Sequence, residues 1–287
     1  MNRGILYICP TPIGNLEDIT LRTIRILKEV DLIAAEDTRH TIKLLNHYDI
    51  KKPLISYHEH NKKSKGELLI EKLKSGENIA LVTDAGMPGI SDPGEDLIRL
   101  SIEEGIEVIV LPGPTASIAA LVISGLPTDK FVFEGFLPSK KRDRIKELER
   151  LKSETRTIIL YEAPHRLLTL LKDMEKVLGN RQISISRELT KLHEETFRGY
   201  LSEGIEKFET QKPKGEFVLI VKGAEIKEED LFEGINIKEH IKLYMEEGLS
   251  KRDAVKKVAE DRGISRNLVY KESINIRIKI PVIIGGH

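Results

Sequence analysis

Short apolar runs alternate with segments of helical periodicity along the first part of this chain. The run Ile5–Cys9 ends at Pro10, and the segment Leu21–Glu36 that follows has near-helical spacing of its apolar residues. The same order then repeats, with strand-like runs at Pro53–Tyr57, Asn78–Thr83 and Glu107–Leu111 and helical patterns at Gly66–Lys74 and Asp96–Glu104. This alternation predicts an α/β domain with a mainly parallel sheet.

Three loops rich in glycine or proline stand at the ends of these strand-like runs. They are Thr11–Asn15 (TPIGN), Leu81–Gly94 (LVTDAGMPGISDPG) and Pro112–Ser117 (PGPTAS). Glycines let backbone N–H and C=O groups approach a ligand closely, and ligands of parallel sheets bind beyond the carboxyl ends of the strands. We therefore expect the three loops to converge on one site for a polar small molecule. The alternative, that they are only tight turns, explains one such loop better than three together.

Two common nucleotide-binding patterns are missing from the sequence. The chain has neither a P-loop lysine pattern nor the GxGxxG fingerprint. The sequence therefore gives no motif that would predict binding of a nucleoside triphosphate or a dinucleotide.

The remainder of the chain predicts further structural units. From Gly125 onward, strand-like runs are denser, which favours a mixed sheet, and Ile237–Ser273 contains short helical segments that resemble a helix-turn-helix module. We expect an N-terminal α/β domain over residues 1–120, a second α/β domain over 121–225 and a helical module over 234–275. Residues 276–287 (IRIKIPVIIGGH) form a tail to which we assign no role.

Composition restricts the cellular setting more than the activity. The 46 basic residues balance the 46 acidic residues, so any anionic partner must be met by local basic patches. Cys9 is the single cysteine, which excludes an intramolecular disulfide, and its apolar surroundings predict a core thiol. No apolar stretch approaches the roughly 20 residues of a membrane span, and we expect a cytoplasmic protein.

The motifs resemble those of a known family, the class III S-adenosylmethionine-dependent methyltransferases of the tetrapyrrole methylase superfamily, and within it the members that modify ribosomal RNA. The resemblance covers Thr11–Gly223 in the correct order, and its motifs are TPIGNLEDIT, AEDTRHTIKLL, YHEHN, TDAGMPGISDPG, PGPTASIAALVISGLP, FVFEGFLPSKKRDR, YEAPHR, RELTKLHEE and KGEFVLIVKG. It implies two α/β domains with the cofactor in the cleft between them, plus the C-terminal helical module. It also implies 2′-O-methylation of a cytidine ribose in the decoding region of small-subunit ribosomal RNA, by a homodimer.

The resemblance also implies which residues hold the cofactor, S-adenosyl-L-methionine. Carried over by position, they are Ile13, Gly14, Asp84, Ala85, Gly86, Met87, Gly89, Thr115, Ala116, Ser117, Tyr161 and Ala163. Asp84 is alternatively a helix or turn cap.

The chemistry of the implied reaction suggests polar groups near the cleft. A ribose hydroxyl is a poor nucleophile, whereas a sulfonium is an activated methyl donor, so the enzyme aligns the two and assists removal of a proton. The candidate catalytic residues are Asp37, Arg39, His58, Glu59 and Lys191. His58 and His60 lack a suitably spaced third ligand, and we expect no metal.

Two basic regions are candidates for binding the small-subunit RNA or the 30S particle. Lys140, Lys141, Arg142 and Arg144 stand beside a predicted helix start, and the helical module contains a second basic run. Arg166 and Arg187, together with Arg39 and Lys191, are candidates to clamp phosphates in the cleft. The alternatives are a methylase of tetrapyrrole precursors and a ribosome-assembly factor that binds RNA without catalysis.

Overall fold

Two five-stranded sheets make up the first of the two units into which the chain divides, Met1–Ala224 and Glu225–His287. The computed structural model describes residues 3–225, 235–274 and 276. The acidic segment 227–234 and all of the predicted tail except Ile276 lie outside the described residues. The α/β class and the presence of C-terminal helices are confirmed, and the domain boundaries that we expected stay predictions.

The first sheet is entirely parallel, in the strand order β3-β2-β4-β1-β5. Its strands are β1 (Ile5–Ile8), β2 (Leu32–Ala35), β3 (Leu54–Ser56), β4 (Ile79–Val82) and β5 (Glu107–Val110). Its helices are α1 (Leu21–Glu29), α2 (Thr38–His47), α3 (Lys62–Lys74), α4 (Glu95–Glu103) and α5 (Ala116–Ile123). β2 and β4 are buried along their whole length, as expected for parallel strands with helices on both faces.

The helical interpretation of the whole segment Leu21–Glu36 was wrong. Helix α1 ends at Glu29, and Asp31 pairs with Asn78 through a backbone hydrogen bond of 2.9 Å and a side-chain bond of 2.8 Å. Leu32–Ala35 then enters the sheet between β3 and β4. Burial of four apolar residues on both faces of a strand outweighs the local helical spacing.

The second sheet is mixed, as predicted, in the order β6-β7-β10-β8-β9 with only β6 and β7 parallel. Its strands are β6 (Phe131–Phe136), β7 (Thr157–Glu162), β8 (Gln182–Arg187), β9 (Glu195–Tyr200) and β10 (Phe217–Val221). Its helices are α6 (Lys141–Arg150), α7 (Pro164–Leu178) and α8 (Leu201–Thr210). Strand β9 and helix α8 were not predicted from the sequence.

Cys9 and Arg144 are both buried in unit 1. Burial raises the pKa of the Cys9 thiol to about 12, which confirms a packed core thiol. Arg144 is 5% exposed, and its guanidinium donates to Asp173 at 2.7 Å and to the Ser139 carbonyl at 2.9 Å. Because its donors are occupied inside the protein, we place Arg144 in the core rather than on an RNA-binding surface.

The second unit is a small helical module with its own apolar core. Its helices are α9 (Ile237–Glu246), α10 (Lys251–Asp261) and α11 (Arg266–Ser273). Asn236, Ser250 and Ser265 cap them by accepting a hydrogen bond from the first helical turn. The apolar side chains of Ala254, Val255, Val258 and Ala259 on α10 are buried, as is Ile276. Among the described residues, no helix is long and apolar enough to span a membrane.

We predict that Arg144→Met lowers the free energy of unfolding by about 3–5 kcal/mol, because it leaves the Asp173 carboxylate buried without its partner. Urea unfolding followed by circular dichroism measures this. Arg150→Met on the same helix is the control: its ion pair with Glu134 is solvent-exposed on the arginine side, and we expect a loss below about 1 kcal/mol. Equal effects of the two substitutions would contradict a structural role for Arg144.

Candidate active site

A cavity of about 380 Å³ lies between the loops that follow the strands of the first sheet and one end of the strands of the second sheet. The first sheet contributes Ile13, Ala85, Gly86, Met87, Ile90, Ser91, Asp92, Thr115 and Ala116 to its lining. The second contributes Phe136, Tyr161, Glu162, Ala163, Pro164, Ser186, Leu189, Glu216, Phe217 and Val218. All three glycine- and proline-rich loops reach this cavity, which confirms that they converge.

The loop after β1 and the loop after β4 are joined by backbone hydrogen bonds. Thr11 and Gly86 exchange two bonds, of 2.9 Å and 3.0 Å, and the Thr11 hydroxyl donates to the Thr83 carbonyl at 2.9 Å. Gly86 has φ of +84°, a conformation that glycine adopts without steric cost. The main chain of Ala85–Met87 is thereby fixed on the cavity wall.

A turn of the second sheet packs against the loop after β1. The Thr190 hydroxyl accepts a hydrogen bond from the Asn15 N–H at 3.0 Å. A Cβ atom on Gly14 would lie 2.4 Å from Lys191 Cγ and 2.9 Å from the Leu189 carbonyl oxygen, so only glycine fits there. Gly14 therefore sustains the contact between the sheets and does not line the cavity.

Lys191 spans two carboxylates at this contact. Its Nζ atom lies 3.1 Å from Glu188 Oε1 and 3.0 Å from Glu216 Oε2. Burial alone would lower the pKa of Lys191, but hydrogen bonds to Glu216 and Glu188 outweigh it and raise the pKa above its ordinary value. A lysine that stays protonated is not a general base, and its place here is that of a fixed cation between two loops.

The charged side chains that line the cavity are all acidic. They are Asp92, Glu162 and Glu216, and no lysine, arginine or histidine of residues 3–225 is in the lining. Glu216 pairs with Lys191, and Glu162 accepts from the Ala163 N–H at 2.8 Å and pairs with Arg166 at 3.2 Å. Burial raises the pKa of Glu162, and burial together with the charge of Glu36 raises that of Asp92 to about 6. The cavity therefore favours a cation over an anion.

Aromatic rings form the part of the cavity wall that the second sheet contributes through Phe136 and Tyr161. The Tyr161 ring lies edge-on to Phe133, with centroids 5.1 Å apart, and 5.5 Å from the Phe136 ring. Burial raises the pKa of the Tyr161 hydroxyl, which hydrogen-bonds to Ser117. Phe136 is 54% exposed although it is apolar, so it offers a free ring face beside the cavity.

Eight of the twelve predicted cofactor residues line the cavity, and they are Ile13, Ala85, Gly86, Met87, Thr115, Ala116, Tyr161 and Ala163. The other four, Gly14, Asp84, Gly89 and Ser117, are absent from its lining. Asp84 accepts a hydrogen bond from the Asp37 N–H at 3.2 Å, which resembles the alternative role as a cap. Gly89 has φ of +84° and forms the turn of its loop.

The other four predicted catalytic residues follow β2 and β3: Asp37 and Arg39 lie at the start of helix α2, and His58 and Glu59 lie in the loop after β3. Asp37 caps helix α2, and its carboxylate pairs with Arg39 at 2.8 Å, which lowers the pKa of Asp37 to about 2. The His58 N–H donates to Asn61 at 2.9 Å, and Glu59 pairs with Lys62 at 2.8 Å. None of the four predicted residues lines the cavity.

The predicted RNA-binding residues divide into two groups. Lys140, Lys141 and Arg142 are exposed, and none of them has an ion pair within the described part of the chain. Arg166 donates to the Leu137 carbonyl at 2.6 Å, and Arg187 to the Lys214 carbonyl at 2.6 Å, so both tie loops together. Only the first three, therefore, have free charge at the surface.

Several residues of the lining were not predicted from the sequence. Asp92 and Glu162 stand inside two of the motifs, TDAGMPGISDPG and YEAPHR, where their carboxyl groups are the signal that could have identified them. Ser186 and Val218 lie on strands of the second sheet, and their orientation toward the cavity depends on strand pairing that the sequence does not state.

Comparison with known proteins identifies the family. Residues 5–204 match the family model described as Tetrapyrrole (Corrin/Porphyrin) Methylases. A "Ribosomal RNA small subunit methyltransferase I" from Synechocystis sp. is 50% identical over 274 residues, which cover 95% of this chain and 98% of the relative. The protein of that name from Thermotoga maritima is 52% identical over 222 residues, which cover 77% of this chain and 100% of the relative.

Solved structures share the fold at much lower identity. Uroporphyrin-III C-methyltransferase from Thermus thermophilus, in complex with S-adenosylhomocysteine, is 18% identical with a TM-score of 0.53. The match covers 76% of this chain and 97% of that one, and it shows the fold alone. The sequence relatives are far closer, and with the family match they show that the chain belongs to the tetrapyrrole methylase family and, within it, to the ribosomal RNA small subunit methyltransferase I proteins.

Proposed function

We propose that this chain transfers a methyl group from S-adenosyl-L-methionine to the 2′-hydroxyl of a cytidine ribose in the decoding region of small-subunit ribosomal RNA. The observation that carries the proposal is the acidic, aromatic-walled cavity in a chain half identical to proteins named for methylating that RNA. The choice of a cytidine 2′-hydroxyl rests on the motif resemblance. A tetrapyrrole substrate is supported by the name of the family model and by structures below 20% identity, whereas the relatives that are half identical are named for ribosomal RNA.

The cavity suits the cofactor in three respects. Its carboxylates favour the positive charge of the sulfonium. Its aromatic wall at Tyr161 and Phe136 suits the flat adenine ring. Thr115 and Ala116 begin helix α5, whose free N–H groups favour a carboxylate. The main chain of Ala85–Met87, also in the cavity lining, supplies further polar groups at fixed positions. When bound, S-adenosyl-L-methionine supplies a methyl group that its sulfonium has already activated.

RNA would reach this cavity across the basic run at the start of helix α6. Lys140, Lys141 and Arg142 surround the N-terminus of the helix, where the helix dipole already favours anions. Cations there do not stabilise the helix, so the arrangement fits phosphate binding better than folding. The preceding strand β6 ends at Phe136 in the cavity lining, so the basic run starts only a few residues from the cavity.

The helical module would add affinity for the substrate particle. Arg252 and Arg266 are exposed on α10 and α11, while the apolar faces of the helices pack on each other. The Thermotoga maritima relative is matched over its whole length by 77% of this chain. A relative of the same name is therefore about a quarter shorter than this chain, so proteins of that name do not all require the full length of this chain.

We also propose that two copies associate and act in the cytoplasm on the small-subunit RNA or the 30S particle. Apolar side chains remain exposed in unit 1, including Val110 on the edge strand β5 and Val122 on α5, which are 58% and 69% exposed. Exposed apolar side chains of this size are a common feature of surfaces that pair in homodimers.

The affinity for S-adenosylmethionine should fall relative to that for S-adenosylhomocysteine as the pH drops from 8 to 5. The ligands differ by the methyl group and the charge on sulfur. Asp92, whose pKa is raised to about 6, is ionised at pH 8 and protonated at pH 5, which removes a negative charge from the cavity. We expect the ratio of dissociation constants to change by about fivefold, or about 1 kcal/mol.

Isothermal titration calorimetry with both ligands measures this ratio. Asp92→Asn should flatten the pH dependence, and Glu95→Gln, which removes a neighbouring charge outside the cavity lining, should keep it. A ratio that stays constant in the parental protein would contradict the proposed charge selection.

Replacing Lys140, Lys141 and Arg142 with alanine should weaken binding to small-subunit RNA and reduce its salt dependence. If each residue contacts one phosphate, the slope of log K against log[salt] should fall by about 2–3. The control replaces three other exposed lysines of unit 1, Lys28, Lys152 and Lys176. Fluorescence anisotropy at several salt concentrations distinguishes the variants, and equal slopes would exclude the basic run as the RNA surface.

A protein shortened to residues 1–224 should keep cofactor binding and lose affinity for the particle. Unit 1 contains both sheets and the whole cavity lining, and the Thermotoga maritima relative matches a length close to it. We expect the cofactor dissociation constant to change by less than about twofold and the particle affinity to fall at least about tenfold, about 1.4 kcal/mol. Calorimetry and filter binding measure the two. Unchanged particle affinity would assign the module another role.

A further inference from the structure

Asp92 lies on the cavity wall at the end of the loop that follows β4. The loop reaches the cavity at Ala85–Met87 and again at Ile90–Asp92, directly before helix α4 begins at Glu95. Two tight approaches close it: a Cβ atom on Gly94 would lie 3.0 Å from the Gly89 nitrogen and 3.1 Å from Leu81 Cδ2. The position of Asp92 is therefore fixed by the backbone on both sides.

Asp92 differs from the other carboxylates of the lining in having no cation beside it. Glu216 pairs with Lys191, and Glu162 pairs with Arg166. Within the described part of the chain, Asp92 takes part in no ion pair, and the Thr83 hydroxyl is a neighbouring polar group. A carboxylate without a cation can take up a proton without breaking an ion pair.

Burial and nearby negative charges disfavour the ionised form of Asp92. The Thr83 hydroxyl, which donates to Glu36 Oε2 at 2.8 Å, acts in the opposite direction and lowers the pKa of Asp92 in part. The ionisable groups that face Asp92 are Glu36 after β2, Asp84 after β4, Glu216 before β10 and Tyr161 on β7. The carboxylates oppose a further negative charge, and with burial they raise the pKa of Asp92 to about 6.

We propose that Asp92 accepts the proton of the RNA hydroxyl during methyl transfer, a step that rests on the proposed function. As the oxygen–carbon bond forms and the sulfur–carbon bond breaks, the electron pair of the O–H bond remains on oxygen and its proton passes to the Asp92 carboxylate. The negative charge of the carboxylate and the positive charge on sulfur disappear together, so the step creates no net charge in the cavity. The proton then leaves Asp92 to water.

A base with a pKa slightly below neutral suits this task. At pH 7.5 most of Asp92 is ionised and ready to accept a proton, yet the carboxyl is a stronger base than an ordinary aspartate. Glu36 and Thr83 act on the reaction only through Asp92 and are positioning residues. Removal of the Glu36 charge should lower the pKa of Asp92, because it removes a repulsive negative charge.

The test compares single-turnover methylation by Asp92→Asn and by the control Glu95→Gln. The substrate is small-subunit particles from cells that lack the protein, with enzyme in excess and cofactor at saturation. We expect Asp92→Asn to lower the rate by about 10²–10⁴-fold, while its cofactor dissociation constant, from calorimetry, rises less than about tenfold. The rate of the parental protein should fall as the pH drops through about 6, which gives its pH–rate profile an acidic limb. This limb should be missing from the profile of Asp92→Asn.

A second readout needs no turnover. Carboxyl ¹³C NMR of the ligand-free protein should show an aspartate that titrates near 6, that is missing in Asp92→Asn and that shifts to lower pH in Glu36→Gln. The rate limb of Glu36→Gln should shift in the same direction.

Three results would overturn the proposal: a parental rate for Asp92→Asn at saturating cofactor, a loss confined to cofactor affinity, or a rate limb that Glu36→Gln leaves in place. An inactive parental protein would instead overturn the proposed function, and this step with it.

Discussion

The close approach of the Glu188–Lys191 turn to Gly14 holds the two sheets of unit 1 at the distance that the cavity needs. The turn touches the loop after β1 at Thr190 and Lys191, and two of its residues, Glu188 and Thr190, have left-handed backbone conformations. Such conformations cost about 1–3 kcal/mol each and persist only where the surroundings fix them. Here the ion pairs of Lys191 and the fit against Gly14 do so.

The two sheets that this contact holds together contribute different kinds of groups to the cavity. The first sheet supplies main-chain groups on short, stiff loops, because its parallel strands all end at the same edge. The second sheet supplies the larger side chains, Tyr161 and Phe136, from strands β7 and β6. The carboxylates come from both. Among the residues that the structure describes, no lysine, arginine or histidine lines the cavity. The electrostatic preference of the site is therefore fixed by these few carboxylates even though the whole chain is neutral.

The sequence predicted the parts of the fold that depend on local pattern. Strands β1, β3, β4 and β5 follow from short apolar runs, and the runs of β1 and β5 end at Pro10 and Pro112. Strand β2 did not follow in this way, because its four residues continue the apolar spacing of α1 and become a strand only by pairing with β3 and β4.

Side-chain partners were harder to predict than elements. Arg144 stands in a basic run with Lys140–Arg142, and one helical turn separates an exposed cation from a buried one. Its partner, Asp173, is on another helix, α7, far along the chain. Asp92 was visible in its motif, but its lack of a cation and the charges of Glu36 and Asp84 around it appear only in three dimensions.

The most direct test of the central claim is to map ribose methylation in small-subunit ribosomal RNA from cells with and without this protein. Our account predicts that one cytidine in the decoding region loses its 2′-O-methyl group when the protein is absent and regains it when the parental chain is restored. Identical methylation maps in the two strains would contradict the account.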